Sequence, residues 1–355
     1  MLISITVLFL MLLISIAKPN TILNNKYNSR VILFILFYIV SINVISRDFS
    51  ALSDAGVYVT SFLNMHNQGL SNMFIQHSSD PLFSLIMWVI SRVTVSHFVF
   101  FAILWFIFIF AFLKAFSIIL LPNQELLVFF SFTMYYFFYS IATNVLRQGL
   151  SISFLFIVLS YYLTEQEKKK TTLFLLLCAC LFHWSAVPFA AILLIFRRIN
   201  IKIRTLLIVW VLSAFAYLTN IQQTILIPLL QYIPKLSLYL TFRNFYGNGV
   251  NRLDFLLFSS IWVLFIMVIK GKFNVTSQYN KLIKVYIAFN TVFLLMGFIP
   301  FSDRIGLYSW MLVPLIVWLP IFNTKKFRPF LILTVLIIFL LVGIFSGEIN
   351  YYKFI

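Results

Sequence analysis

A chain of 355 residues, 62% of them hydrophobic and only 10% charged, is far more apolar than a soluble domain, where about 45–50% is usual. That balance excludes a soluble globular protein and predicts an all-α polytopic integral membrane protein, a single transmembrane domain over residues 1–355. The net charge of +17 does not point to nucleic acid, because Lys and Arg gather in short clusters between hydrophobic runs, where they act as topology signals.

A helix needs about 20 apolar residues to cross roughly 30 Å of hydrocarbon. Segmenting the chain at its polar clusters predicts about 12 transmembrane helices, at 1–17, 31–46, 96–117, 125–142, 147–163, 170–183, 184–197, 205–220, 253–270, 282–300, 305–322 and 328–346. The first of these lacks a basic start and a small-x-small cleavage site, so it reads as a retained helix rather than a removed signal peptide. The apolar stretch 81–94 is left over, and it is expected to be a re-entrant or interfacial helix within an outer loop spanning 47–95. Basic clusters at Lys18/Lys26/Arg30, Lys168–Lys170, Arg197/Arg198/Lys202/Arg204, Lys270/Lys272/Lys281/Lys284 and Lys325/Lys326/Arg328 are placed in the cytoplasm. With Lys114, about 18 of the 26 basic residues then face inward. Two basic clusters flank 170–197, so this stretch must cross twice, as a tight helical hairpin with "FHWSAVP" at its tip. The segment 221–252 is expected to be an outer amphipathic loop lying on the membrane surface.

In this threading the outer face receives nearly every unusual polar residue. Arg147 stands in "IATNVLRQGLSISFLF" at the edge of a span. Snorkelling explains a lone arginine there, but Asn144 and Gln148 lie four residues apart and would flank it on one helical face. A guanidinium with amide neighbours suits a phosphate or diphosphate. Arg304, in "FSDRIGLYSW", repeats the arrangement at another outer corner with Tyr308 one turn later, so the two arginines are expected to clamp one pyrophosphate. His183 is either hydrogen-bonded at a helix turn, for instance to Ser185, or a general base or sugar-hydroxyl partner. Asp54 shares a helical face with Tyr58. Asp80, before Pro81, reads as a helix N-cap, and Asp303 as a cap, a partner of its neighbour or a sugar ligand. His66 and His77 fall in a polar loop and read as solvated. Cys178 and Cys180 are read as packing residues. No spacing of His, Cys or carboxylates suits a metal, so neither metal nor cofactor is expected.

Taken together, "SDAGVY" at 53–58, "DPLF" at 80–83, "NVLRQG" at 144–149, "FHWSA" at 182–186 and "DRIGLY" at 303–308 resemble the EpsG-like branch of Wzy-type polysaccharide polymerases, over about residues 30–320. Where that family usually shows Glu-Pro-Leu, this chain has Asp80-Pro81-Leu82. The resemblance implies a glycosyltransferase of GT-C type in the bacterial inner membrane, with its active face periplasmic or extracellular. Such enzymes join undecaprenyl-pyrophosphate-linked repeat units of O-antigen or capsule and release undecaprenyl pyrophosphate. Partners implied are that lipid-linked oligosaccharide, the bilayer, and a chain-length regulator and flippase of the same pathway. On this basis His183 or Asp54 is the expected base. Arg147, Arg304, Asn144 and Gln148 would hold the pyrophosphate, and Tyr58, Ser185, Tyr308 and Asp303 the sugars. An O-antigen ligase, a repeat-unit flippase and a membrane O-acyltransferase are the competing readings.

Overall fold

The structure is a computed structural model that describes residues 26–46, 54–71, 73, 80–166, 168–230, 232, 249–273, 275–323 and 328–345. The expected helix at 1–17, His77 and most of the segment 221–252 lie outside the described residues. Among those described, every regular element is a helix, as an apolar chain demands when each backbone N–H and C=O must be satisfied within the membrane.

The chain divides into two compact units, Met1–Ala190 with Ile321–Ile355, and Ala191–Pro320. In the first unit α1 (Lys26–Ile45), α2 (Asp54–Met65), α3 (Pro81–Val93), α4 (His97–Ile119), α5 (Pro122–Thr133), α6 (Tyr136–Thr143), α7 (Leu146–Leu163) and α8 (Lys169–Phe182) follow one another. A 3-10 turn, Trp184–Ala186, leads into α9 (Val187–Arg198), which straddles the boundary. The centre of this unit is α7, which packs on α4 and α8 and is buried along most of its length. Its Phe156 meets Phe112 of α4 at 4.7 Å and Phe132 of α5 at 6.1 Å between ring centroids, distances at which tilted aromatic pairs add to simple burial. Ser151 near the start of α7 donates to the carbonyl of Ala179 near the end of α8 at 2.8 Å. The two helices are therefore antiparallel, and the start of α7 and the end of α8 share one end of the unit.

The second unit holds α10 (Ile203–Thr219), α11 (Ile221–Leu230), α12 (Leu253–Lys272), α13 (Ser277–Leu295), α14 (Ser302–Trp310) and α15 (Val313–Asn323), the last running back into the first unit; α16 (Arg328–Phe345) belongs to the first. A buried Asn290 on α13 organises the second unit. It accepts from Trp210 Nε1 of α10 at 2.8 Å and donates to Ser259 Oγ of α12 at 2.9 Å and Ser309 Oγ of α14 at 3.1 Å. Trp310 Nε1 donates to the same Ser259 Oγ at 2.9 Å. Lipid supplies no hydrophobic drive between helices, so such polar contacts fix which faces meet.

Five described helices, with α14 and α15 taken as one, are long and apolar enough to cross a membrane. The number rises to seven if each bent pair, α5–α6 (79°) and α10–α11 (93°), is one span. The protein is thus an all-α polytopic membrane protein, as its composition predicts. Two of the other expected spans, 170–183 and 184–197, form shorter helices. At 14 and 12 residues, α8 and α9 are about 21 and 18 Å long at 1.5 Å per residue. The stretch left over at 81–94 forms the 13-residue α3.

Candidate functional site

The polar end of the first unit is built by three helix ends. Pro81 at the first position of α3 supplies a pre-set φ and lacks an N–H that would be unpaired there. Its helix therefore starts sharply, and Asp80 is held just ahead of it. The chain then breaks between α6 and α7: Asn144 caps α6 and Val145 leaves helical geometry, both of their N–H groups bonding the carbonyl of Ser140 at 2.9 Å. The corner is tight, and a Cβ at Gly149 would stand 2.2 Å from the carbonyl oxygen of Ile141. Arg147 consequently occupies the first turn of α7. At the end of α8 the helix stops at Phe182, and His183 takes an extended conformation before the 3-10 turn.

These ends converge on one carboxylate. Arg147 Nη1 donates to Asp80 Oδ2 at 2.6 Å, His183 Nδ1 lies 3.0 Å from Asp80 Oδ1, and the Trp184 N–H donates to the same Oδ1 at 3.4 Å. Arg147 Nε also donates to the Tyr58 hydroxyl at 3.2 Å, and its guanidinium lies 5.5 Å from the centre of the Tyr58 ring, within cation–π range. Tyr58 is brought by α2, and its ring packs on Phe83 of α3 at 5.3 Å. Asp80 is 2% exposed, against 15% for the His183 side chain and 35% for that of Arg147. Burial alone would raise the Asp80 carboxyl, but the His183 hydrogen bond, the His183 and Arg147 charges and the Trp184 N–H outweigh it and hold the group below its ordinary range. A cation in the first turn of a helix faces the positive end of the backbone dipole, so Asp80 is what makes Arg147 tolerable there.

The structure therefore joins Arg147, His183 and Tyr58, three expected site residues, through Asp80, which the sequence reads as a helix N-cap. Asp80 occupies the N-cap position of α3, but its side chain makes no capping bond and turns instead to Arg147 and His183. These partners lie 67 and 103 residues away, beyond any local pattern. Two hints were available: nine carboxylates serve the whole chain, and Asp80 stands in the "DPLF" stretch that carries the family resemblance.

Other candidates fall around or away from this cluster. Gln148 is buried beside Arg147 in α7, whereas Asn144 lies in the break, so the single helical face expected to carry Asn144, Arg147 and Gln148 does not exist. The Asn144 side-chain oxygen is buried without a hydrogen bond. Asp54 opens α2, one turn before Tyr58, and Ser185 lies in the 3-10 turn after His183. His66, expected to be solvated, is exposed and also directs Nδ1 to the Ser91 carbonyl at 2.6 Å.

Arg304, Asp303 and Tyr308 belong to α14 of the second unit. The Arg304 guanidinium lies 5.1 Å from the centre of the Phe301 ring. Asp303 has one oxygen buried without a hydrogen bond. Tyr308, at 1% exposure, is enclosed in the packed interior and presents no open ring face. Among the described residues no group of three or more His, Cys, Asp or Glu side chains is placed to hold a metal ion. Cys178 and Cys180 are free thiols on α8.

A helical membrane protein with an Arg–Asp–His cluster at the meeting point of three helix ends is the class this geometry defines. Comparison with protein families matches the EpsG family over residues 30–354, and the chain belongs to that family. Searches of curated proteins and of solved structures return no match.

Proposed function

We propose that this EpsG-family protein is a membrane glycosyltransferase that polymerises surface polysaccharide from lipid-linked repeat units, of O-antigen or capsule type, on the outer face of a bacterial inner membrane, with a GT-C-type helical frame. Family membership supports a glycosyltransferase-like polymerase. The observation that carries the reading to a site is the convergence of Arg147 and His183, an anion-binding group and a proton acceptor, on the carboxylate of Asp80.

In this mechanism an acceptor sugar hydroxyl attacks the anomeric carbon of the donor. The new C–O bond forms as the anomeric carbon–phosphate oxygen bond breaks, and the electron pair leaves on undecaprenyl pyrophosphate. His183 takes the hydroxyl proton, while Arg147, the most exposed member of the cluster, meets the charge that develops on the diphosphate. Donors aimed at developing charge in a water-poor site are worth much more than in water, about 3–4 kcal/mol each. Tyr58 fixes the guanidinium plane. Asp54 and Ser185, near the same end, are candidates for sugar hydroxyls.

Deleting the gene in its host tests the class. A polymerase deletion leaves single-repeat products on a polysaccharide gel and removes the long ladder; loss of every repeat-bearing product identifies a ligase or flippase instead.

A further inference from the structure

The geometry points to Asp80 as a positioning residue that fixes the tautomer and orientation of His183 and so leaves the other ring nitrogen, Nε2, facing the acceptor hydroxyl. This rests on the reading of His183 as the base, and adds the group through which it works.

A histidine serves as a base only when the nitrogen facing its substrate lacks a proton. A carboxylate on Nδ1 keeps the ring proton there, because a neutral imidazole then donates to the carboxylate, and a second group holds the carboxylate in turn. All parts of that arrangement are present. The His183 Nδ1–Asp80 Oδ1 distance is 3.0 Å, the Trp184 N–H shares Oδ1, and Arg147 secures Oδ2 at 2.6 Å. Each oxygen is thus committed on a different side, and the carboxylate plane cannot turn without losing a partner. The anchoring also has a covalent part, since Pro81 restricts the backbone of Asp80 and the Asp80 carbonyl accepts the first helical bond of α3, from Ser84 N at 3.1 Å. Asp80 is the least exposed member of the cluster, which places it behind the reacting groups and not among them.

The same contacts predict a pH signature. Among the described contacts, the groups facing His183 and its carboxylate are Arg147 from α7, the Trp184 N–H from the turn and Tyr58 from α2 through Arg147. Asp80 is the anion among them, and it favours the imidazolium. Removing its charge makes His183 easier to deprotonate, so the acidic limb of the rate–pH profile moves to lower pH even as the maximal rate falls. A residue with only a packing role lowers the rate without moving the limb.

The experiment uses the full chain in right-side-out membrane vesicles of the deletion host carrying its own lipid-linked repeat units, with ladder growth followed against external pH. Asp80→Asn, at matched membrane levels, is expected to lower the maximal rate about 100-fold, the lower end of what general-base catalysis contributes, and to shift the acidic limb downward. Asp80→Glu, which keeps the charge, is expected to recover part of the rate with the limb where the wild type has it. An Asp80→Asn protein with the wild-type rate, or with a lowered rate and an unmoved limb, overturns the inference. If Asp80→Asn does not accumulate, Asp80→Glu decides, and a well-accumulated Glu protein that is inactive or has a displaced limb overturns it. His183→Gln separates the two levels. An active His183→Gln protein overturns the reading of His183 as base, whereas an inactive one beside an unaffected Asp80→Asn overturns only the role of Asp80.

Discussion

Burying a carboxylate costs several kcal/mol, and a pair repays this only when the remaining lone pairs are also satisfied. Asp80 meets that condition with three donors on two oxygens, so the cluster stands without solvent on its carboxylate. Removing one member leaves a charge without its partner, a loss on the order of 3–5 kcal/mol in buried pairs, moderated here by the part-exposed Arg147. The glycine of "NVLRQG" has a different task. It lets α6 come down onto the first turn of α7, and the atom nearest the missing side chain is the backbone carbonyl oxygen of Ile141. Backbone cannot swing aside as a side-chain tip can, so Gly149→Ala is expected to cost about 2–3 kcal/mol by overpacking. The midpoint of thermal unfolding in detergent checks this, and an unchanged midpoint contradicts the tight corner. At this scale the sequence disclosed residue types well and partners poorly. Arg147 and His183 stood out as polar groups in apolar runs, whereas Asp80 had an adequate local explanation before Pro81.

The elements were legible where hydrophobic length was decisive and less so where helices break. Runs such as 96–117 and 147–163 match α4 and α7 within a few residues. The shared face of Asn144 and Gln148 assumed one continuous helix, and β-branched Val145 beside Asn144, both weak helix formers, end α6 before it reaches α7. The basic ends of α3 illustrate a second kind of signal. Arg92, in its last turn, reaches across to the carbonyls at the end of α2, with Nη1 on His66 O at 2.7 Å and Nη2 on Met65 O at 3.1 Å and on Gln68 O. Trp88 Nε1 adds a bond to Gln68 O at 3.1 Å, and the guanidinium lies 4.7 Å from the Trp88 ring centre. Cations at helix C-termini satisfy carbonyls that lack intrahelical partners. The pairing of α2 with α3 brings Tyr58 to Arg147 at the opposite end of α3. Arg92→Ala is therefore expected to loosen α2 from α3 by about 1–2 kcal/mol, the exposure of Arg92 limiting the effect. Faster protease cleavage at 66–69 in spheroplasts, with total protein unchanged, is the expected result; wild-type cleavage contradicts it.

For the whole molecule, composition established the class and the family comparison placed the chain, while neither describes chemistry. The twelve expected spans assumed that every apolar run except 81–94 crosses the membrane. At 12 to 14 residues α8, α9 and α3 are shorter than a straight span of about 20, and the end of α8 and the start of α3 both lie at the Arg–Asp–His cluster. Hydropathy cannot separate these uses, because a short helix packed inside protein and half of a membrane hairpin have the same composition. The link between the class and its chemistry is the cluster itself, and it is tested most directly by complementing the deletion strain with Arg147→Ala and His183→Gln proteins at matched membrane levels and reading the surface polysaccharide ladder by gel. Both variants are expected to leave single-repeat products and restore little or no long ladder, while the wild-type gene restores it fully. A full ladder from either variant would contradict the assignment of that residue to the reaction.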